Sequence, residues 1–278
     1  MTAAATTQGI PSGSARWMRR LRFYLPAVVV FVATMLLWEF AVRSGLLRGL
    51  PLPAPSQIVA ALGENWASGR WPLGRAAAAT LFEAIGGLVI GTLAGVGVAF
   101  ATARFISARE LLLPLAVGAS AVPIIAFAPL MNNWFGVLNP LSKMMMVAVL
   151  VFFPVVVNVT RGLTQVDPAA LELMRSYAAS ESTVLRVLRV PNALPYFFTA
   201  LKIAATLSLI GAIVGEYFGG ANDVLGRVVV QSASSLRFDV TWAAIVLAAA
   251  TGIVFYLVIV AIERVVIPWH ASMRATEP

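Results

Sequence analysis

Uncharged stretches long enough to cross a lipid bilayer recur along this chain, over 84–103, 111–142, 144–160 and 240–262. A hydrocarbon core about 30 Å thick is spanned by about 20 apolar residues in helical form. With no water there, every lipid-facing backbone group must be paired within its own segment, so only helices or closed barrels are viable. Runs of this length select a bundle of membrane-spanning helices. Composition agrees, since 60% of the 278 residues are hydrophobic and 12% charged, where a soluble domain has about 25% charged.

Two further crossings are less clean. Arg16, Arg19, Arg20 and Arg22 precede an apolar stretch that ends near Val42. Trp38, Glu39 and Phe40 stand where a signal peptide would offer a small-residue cleavage site, so this reads as an uncleaved first span. Between 111 and 142 the run is too long for one helix, and "NNWFGVLNP" reads as the turn after a third span. After Pro195, "YFFTALKIAATLSLIGAIV" makes a fifth, with Lys202 near enough its start to snorkel towards the headgroups. The expected fold is an all-α membrane protein of six helices. Its divisions are a disordered tail over 1–15, a first helix over 16–44, an external loop with a short amphipathic helix over 45–78, a five-helix core over 79–266 and a cytoplasmic tail over 267–278.

An even number of spans puts both termini on one side, and basic residues choose the side. Arg16, Arg19, Arg20, Arg22, Arg104, Arg109, Arg161, Arg175, Arg186, Arg189, Arg264 and Arg274 outnumber Arg43, Arg48, Arg70, Arg75, Lys143, Arg227 and Arg237. Both termini are therefore expected in the cytoplasm. The net charge of +8 flanks apolar runs and forms no dense patch, so no nucleic-acid partner is expected. The chain has no cysteine and one histidine, His270, so a thiolate or histidine metal centre has no ligands. No phosphate-cradling G-x-x-x-x-G-K-[ST] and no H-E-x-x-H occurs. The chain therefore reads as a transport subunit, not an enzyme. An ion-coupled secondary transporter is the alternative; it usually carries ionisable residues in mid-span, and spans two, three, four and six read as free of charge.

One insert breaks the pattern. "ELMRSYAASESTVLRVLRVPNALP", Glu172 to Pro195, carries Glu172, Arg175, Glu181, Arg186 and Arg189 and no long apolar run. Asp167-Pro168 is a strong helix start. Leu171, Met174 and Ala178 fall on one helical face, Ser180 caps a second short helix with Val184, Val187 and Leu188 in a stripe, Pro191 is expected to stop that helix, and Pro195 to open the next span. Such a pair could lie on the cytoplasmic leaflet or dock into a groove of a soluble partner.

This stretch resembles the coupling loop of ABC importer permeases, whose pattern runs Glu-Ala-Ala, three residues, Gly, nine residues, a large aliphatic, one residue, Leu-Pro. Glu172 takes the acidic position, Leu173 and Met174 replace the alanines, Ala178 stands at the glycine, and Leu188, Val190 and Pro191 fit the ending. Ala193 to Pro195 adds the second "ALP" of the nitrate, sulfonate and taurine branch. "LPAPSQIVAAL", "AVPIIAFAPLMNNWFG", "FFPVVVNVTRGLTQVDP" and "ERVVIPW" extend the likeness over residues 50 to 270, although Glu83 stands where the branch commonly has arginine. With alanine at 178, a left-handed bend costs about 1 kcal/mol, so the turn is expected with φ below zero or one residue later.

The resemblance implies the type I ABC importer permease fold and a bacterial cytoplasmic membrane location. It further implies a second permease copy, two ATP-binding cassette subunits that hold ATP and Mg, and an extracytoplasmic solute-binding protein, with no cofactor on this chain. By similarity the coupling helices at 168–190 meet the ATPase through Leu171, Glu172, Met174, Arg175, Ala178, Ala179, Val184, Leu188 and Pro191. Pro123, Asn132, Asn133 and Glu216 are expected along the pathway, Glu216 having a rival reading as an interfacial carboxylate paired with an arginine. Gly87 and Gly91 form a small-residue face, either internal packing or a dimer seam. Ser56 is expected to cap a helix bearing Ile58 or Val59, Leu62 and Trp66, against the outer leaflet or the binding protein. The solute is a small molecule of nitrate, sulfonate, taurine or pyrimidine type.

Overall fold

The computed structural model describes residues 13–47, 49–105, 110, 111, 114, 118 and 123–268. Among these, the elements in chain order are α1 (Gly13–Arg43), α2 (Pro55–Glu64), α3 (Leu73–Arg104), a 3₁₀ turn (Ile124–Ala126), α4 (Phe127–Phe135), α5 (Pro140–Thr164), α6 (Pro168–Ser176), α7 (Glu181–Val184), a π-helical turn (Leu185–Arg189), α8 (Val190–Tyr217), α9 (Leu225–Ser234) and α10 (Phe238–Val266). Five of the described helices, α1, α3, α5, α8 with its lead-in, and α10, are long and apolar enough to cross a membrane. Most of the third expected span, over 112–122, lies outside the described residues, as do the tail 1–12, Arg48, Arg109, His270 and Arg274. "NNWF" is the last turn of α4 and not the connection, which starts at Gly136, where φ is +94°.

Residues 1–60 and 61–278 form two compact units. In the first, α1 exposes Val30, Phe31, Leu36, Leu37 and Phe40, as a helix bathed in lipid does. Glu39 pairs with Arg43 and accepts from the Ser56 amide at 3.0 Å and hydroxyl at 2.7 Å. The Ser56 hydroxyl is thus a donor to Glu39 and not a cap; α2 begins at Pro55, and Gln57 Oε1 accepts from the Ala54 amide. Ile58 is buried, and Val59 and Trp66 are exposed.

The second unit is built around α5, with α3 and α8 packed on it. Close approach is made possible by glycine. A Cβ at Gly87 would lie 2.4 Å from Val147 Cβ, and one at Gly91 2.5 Å from the Ala148 carbonyl oxygen. The small-residue face of α3 is therefore internal packing within one chain. From the other side Gly211 meets Val147 and Gly215 meets Lys143. Between the glycines, Val147, Val151, Val155, Val159 and Leu163 of α5 are enclosed by Ala84, Leu88, Ala200, Ala204 and Ala212.

α3 ends, α5 ends and α8 begins at one end of this core. There the Thr102 and Thr160 hydroxyls bond at 2.8 Å and Asn192 Nδ2 donates to the carbonyls of Gly162 and Gln165. The insert 165–189 hangs from that end. Lys202 does not snorkel: it pairs with Glu263 of α10 at 2.8 Å, tying α8 to the last span.

Candidate functional site

The insert is two helical pieces joined by a tight reversal. Asp167 caps α6 by accepting from the Ala169 amide at 2.9 Å, and Ser180 caps α7 through the Thr183 amide. α6 closes in a Schellman motif, the Ala179 amide bonding to the Met174 carbonyl and the Ala178 amide to Arg175. This motif requires a left-handed residue, and Ala178 has φ +48°. The expectation of a negative φ is overturned, because two satisfied backbone bonds outweigh the strain of one alanine.

Pro191 does not stop the second helix, which runs on into α8. Ahead of it the chain widens into the π-helical turn, and the Val190 amide bonds back to the Leu185 carbonyl. The widened turn gives room to a proline ring that an α-turn would press against the carbonyl four residues earlier.

Along the insert Glu172, Arg175, Ala178, Glu181, Arg186 and Pro191 are exposed, and the chain's own described salt bridges use none of these charges. Leu171, Met174, Ala179, Val184 and Leu188 are half-buried. The fully open apolar side chains are Val187, which the spacing places in the second helix's stripe, and Leu173 and Tyr177, which it does not single out. Between the insert and the end of α3 lies a cavity of about 430 Å³, lined by Phe100, Arg104, Ser180, Glu181, Leu185 and Arg189 among others.

The opposite end of the core holds a second polar site. Glu83 of α3, Lys143 of α5 and Glu216 of α8 are 5%, 1% and 0% exposed. Lys143 Nζ donates to Asn132 Oδ1 at 3.3 Å and to the Val137 carbonyl. Glu216 Oε2 accepts from the Gly226 amide at 2.6 Å, and Thr80 Oγ1 accepts from the Leu225 amide at 2.9 Å. These are the first two amides of α9, whose N-cap Val224 offers no side-chain acceptor. Glu216 and Asn132 come together through Lys143, whereas Pro123 and Asn133 are exposed and outside the cluster. Glu216 is fully buried and makes no salt bridge with an arginine among the described residues, contrary to its interfacial reading. From sequence Glu83 stands out only as a departure from the branch's arginine and Lys143 only as a loop charge, and Thr80 not at all; none is expected in a site. Glu83 borders the apolar run of 84–103 and Lys143 separates two runs, so both read as edge residues. The helices extend beyond the runs and draw both inside, so spans two and four are not free of charge.

A family model described as "Binding-protein-dependent transport system inner membrane component" matches residues 87–269, which include the insert. The chain is 31% identical over 258 residues to a formylaminopyrimidine transport permease protein of Halalkalibacterium halodurans, covering 91% of this chain and 99% of that one. It is 30% identical over 239 residues to a probable ABC transporter permease protein of Haemophilus influenzae, covering 85% and 94%. A taurine transport system permease protein of Escherichia coli is 26% identical over 270 residues, covering 92% and 96%.

Proposed function

Because this chain belongs to the inner membrane components of binding-protein-dependent transport systems, we propose that the bent insert 165–189 is its handle for an ATPase and that the core it hangs from carries a small solute inwards. The chain is a multi-pass permease subunit of an ABC importer and performs no hydrolysis itself. ATP-binding and solute-binding proteins are its partners. In our reading two permease copies pair, two cassette subunits hold ATP and Mg, and six crossings leave both termini in the cytoplasm beside the insert. Relatives named for formylaminopyrimidine, aliphatic sulfonates and taurine favour a small anionic or pyrimidine-type solute.

The observation that carries this reading is the insert's construction. It is short, capped at both helix starts and tied by Asn192 to the end of α5, yet among the described residues Glu172, Arg175, Glu181, Arg186 and Arg189 form no salt bridge. Such a segment transmits displacement while leaving Glu172 and Arg175 to a partner. Leu173, Tyr177 and Val187 supply apolar contact, Leu171, Met174, Val184 and Leu188 brace the insert from behind, and the cavity beside α3 receives a partner side chain. Along the pathway Pro123 and Asn133 remain the open candidates, with Asn132 and Glu216 holding structure.

Glu172→Ala with Arg175→Ala tests this. Surface changes of this kind move stability by less than about 0.5 kcal/mol, so the variant should melt with the wild type but lose its cassette subunit on co-purification. Retention of that subunit at wild-type yield would refute the handle. A thermal-shift screen of the cognate binding protein against taurine, an alkanesulfonate, nitrate and formylaminopyrimidine decides the solute class.

A further inference from the structure

The buried site opposite the insert does not balance in charge as drawn. Glu83 and Glu216 are both buried at the start of α9, Glu216 on the Gly226 amide and Glu83 one helical turn from Thr80, which takes the adjacent Leu225 amide, so that the two carboxyl groups face each other. The ammonium beside them among the described residues, on Lys143, is committed to Asn132 and the Val137 carbonyl and makes no salt bridge with either. Glu83 Oε2 and Glu216 Oε1 are both buried without a donor. Ionised carboxylates only accept, so two of them in contact leave both oxygens unsatisfied and repel each other in a poorly polarisable interior. A single hydrogen between them removes both faults.

We propose that Glu83 and Glu216 form a proton-binding site in which Glu83 carries the proton and donates it to an ionised Glu216. The assignment within the pair follows from the other donors. Glu216 takes the Gly226 amide, lies within reach of the Thr80 hydroxyl, and stands at the N-terminus of the ten-residue α9, where negative charge is favoured. Glu83 has no comparable donors. Bound in this way, one proton leaves one carboxylate against the Lys143 ammonium, with Asp223 and Arg227 the other charged groups nearby, and holds the start of α9 to α3 and α8. A metal ion is disfavoured in the same position because the Lys143 ammonium already supplies the positive charge.

The full chain in lipid nanodiscs provides the test. At pH 7 its infrared spectrum should contain a protonated-carboxyl C=O stretch that resists deuterium exchange, and Glu83→Gln should abolish it. The glutamine amide keeps a donor facing Glu216 with no change in net charge, so Glu83→Gln should melt within about 2 °C of the wild type. Glu83→Gln with Glu216→Gln removes the one negative charge and strands Lys143, so the double variant should melt at least about 5 °C lower. No protonated-carboxyl band in the wild type, or a band unchanged in Glu83→Gln, would overturn the proposal even if the double variant fails to fold. So would a Glu83→Gln chain destabilised as far as the double variant.

Discussion

The two ends of the α3, α5 and α8 core handle charge in opposite ways. At the insert end Glu172, Arg175, Glu181 and Arg186 stand in the open with no salt bridge among the described residues, and the helices are joined there by neutral groups, the Thr102–Thr160 hydroxyl pair and the Asn192 amide. At the opposite end Glu83, Lys143 and Glu216 are enclosed, and Glu216 with Thr80 holds a separate helix, α9, in place. Open charge costs little to change and is available to another molecule. Enclosed charge is expensive to disturb and therefore fixes geometry. One end is built to be gripped and the other to keep its shape.

The sharpest way to break the contrast is to disturb an enclosed charge whose partner is known. Lys202 and Glu263 make a part-buried two-bond pair between α8 and α10, the carboxylate being the enclosed partner. Lys202→Met leaves the Glu263 carboxylate buried and alone, which costs roughly 3–5 kcal/mol. Adding Glu263→Gln should recover most of that loss in the same thermal-unfolding measurement, whereas an exposed pair would show neither the loss nor the rescue. Next in size is Gly91→Leu, which forces side-chain atoms onto the Ala148 backbone midway between the two ends. Separation of α3 from α5 should cost about 1–3 kcal/mol or more. Folding yield in detergent measures it, and a wild-type yield would mean that the helices do not meet at glycine.

Legibility followed the same division. The caps of the insert could be read from sequence because Asp167-Pro168 and Ser180 act on amides two or three residues away. The enclosed cluster could not. Glu83, Lys143 and Glu216 lie far apart in the chain and meet only when glycine faces let α3, α5 and α8 close on one another. α9 shows why most directly: its first amides are satisfied by Thr80 and Glu216 from other helices, so no local capping residue marks its start. The two misread features of the insert, Ala178 and Pro191, are places where hydrogen bonding overrides a residue's own preference.

Ala178 gives the smallest and most specific prediction. With φ at +48° it carries a left-handed strain that glycine does not, roughly 1 kcal/mol. Glycine also gains freedom in the unfolded chain, which returns part of that figure. Ala178→Gly should therefore steady the reversal by about 0.5 kcal/mol, lowering amide exchange at Ala178 and Ala179 by about twofold. The neighbouring Ala179 is not left-handed, so there only the entropic term operates. Ala179→Gly should raise exchange at the same amides. Opposite signs at adjacent alanines would locate the bend at one residue and show that the open end, for all its free charge, is held by its backbone; equal signs would mean that the reversal is not the Schellman turn described here.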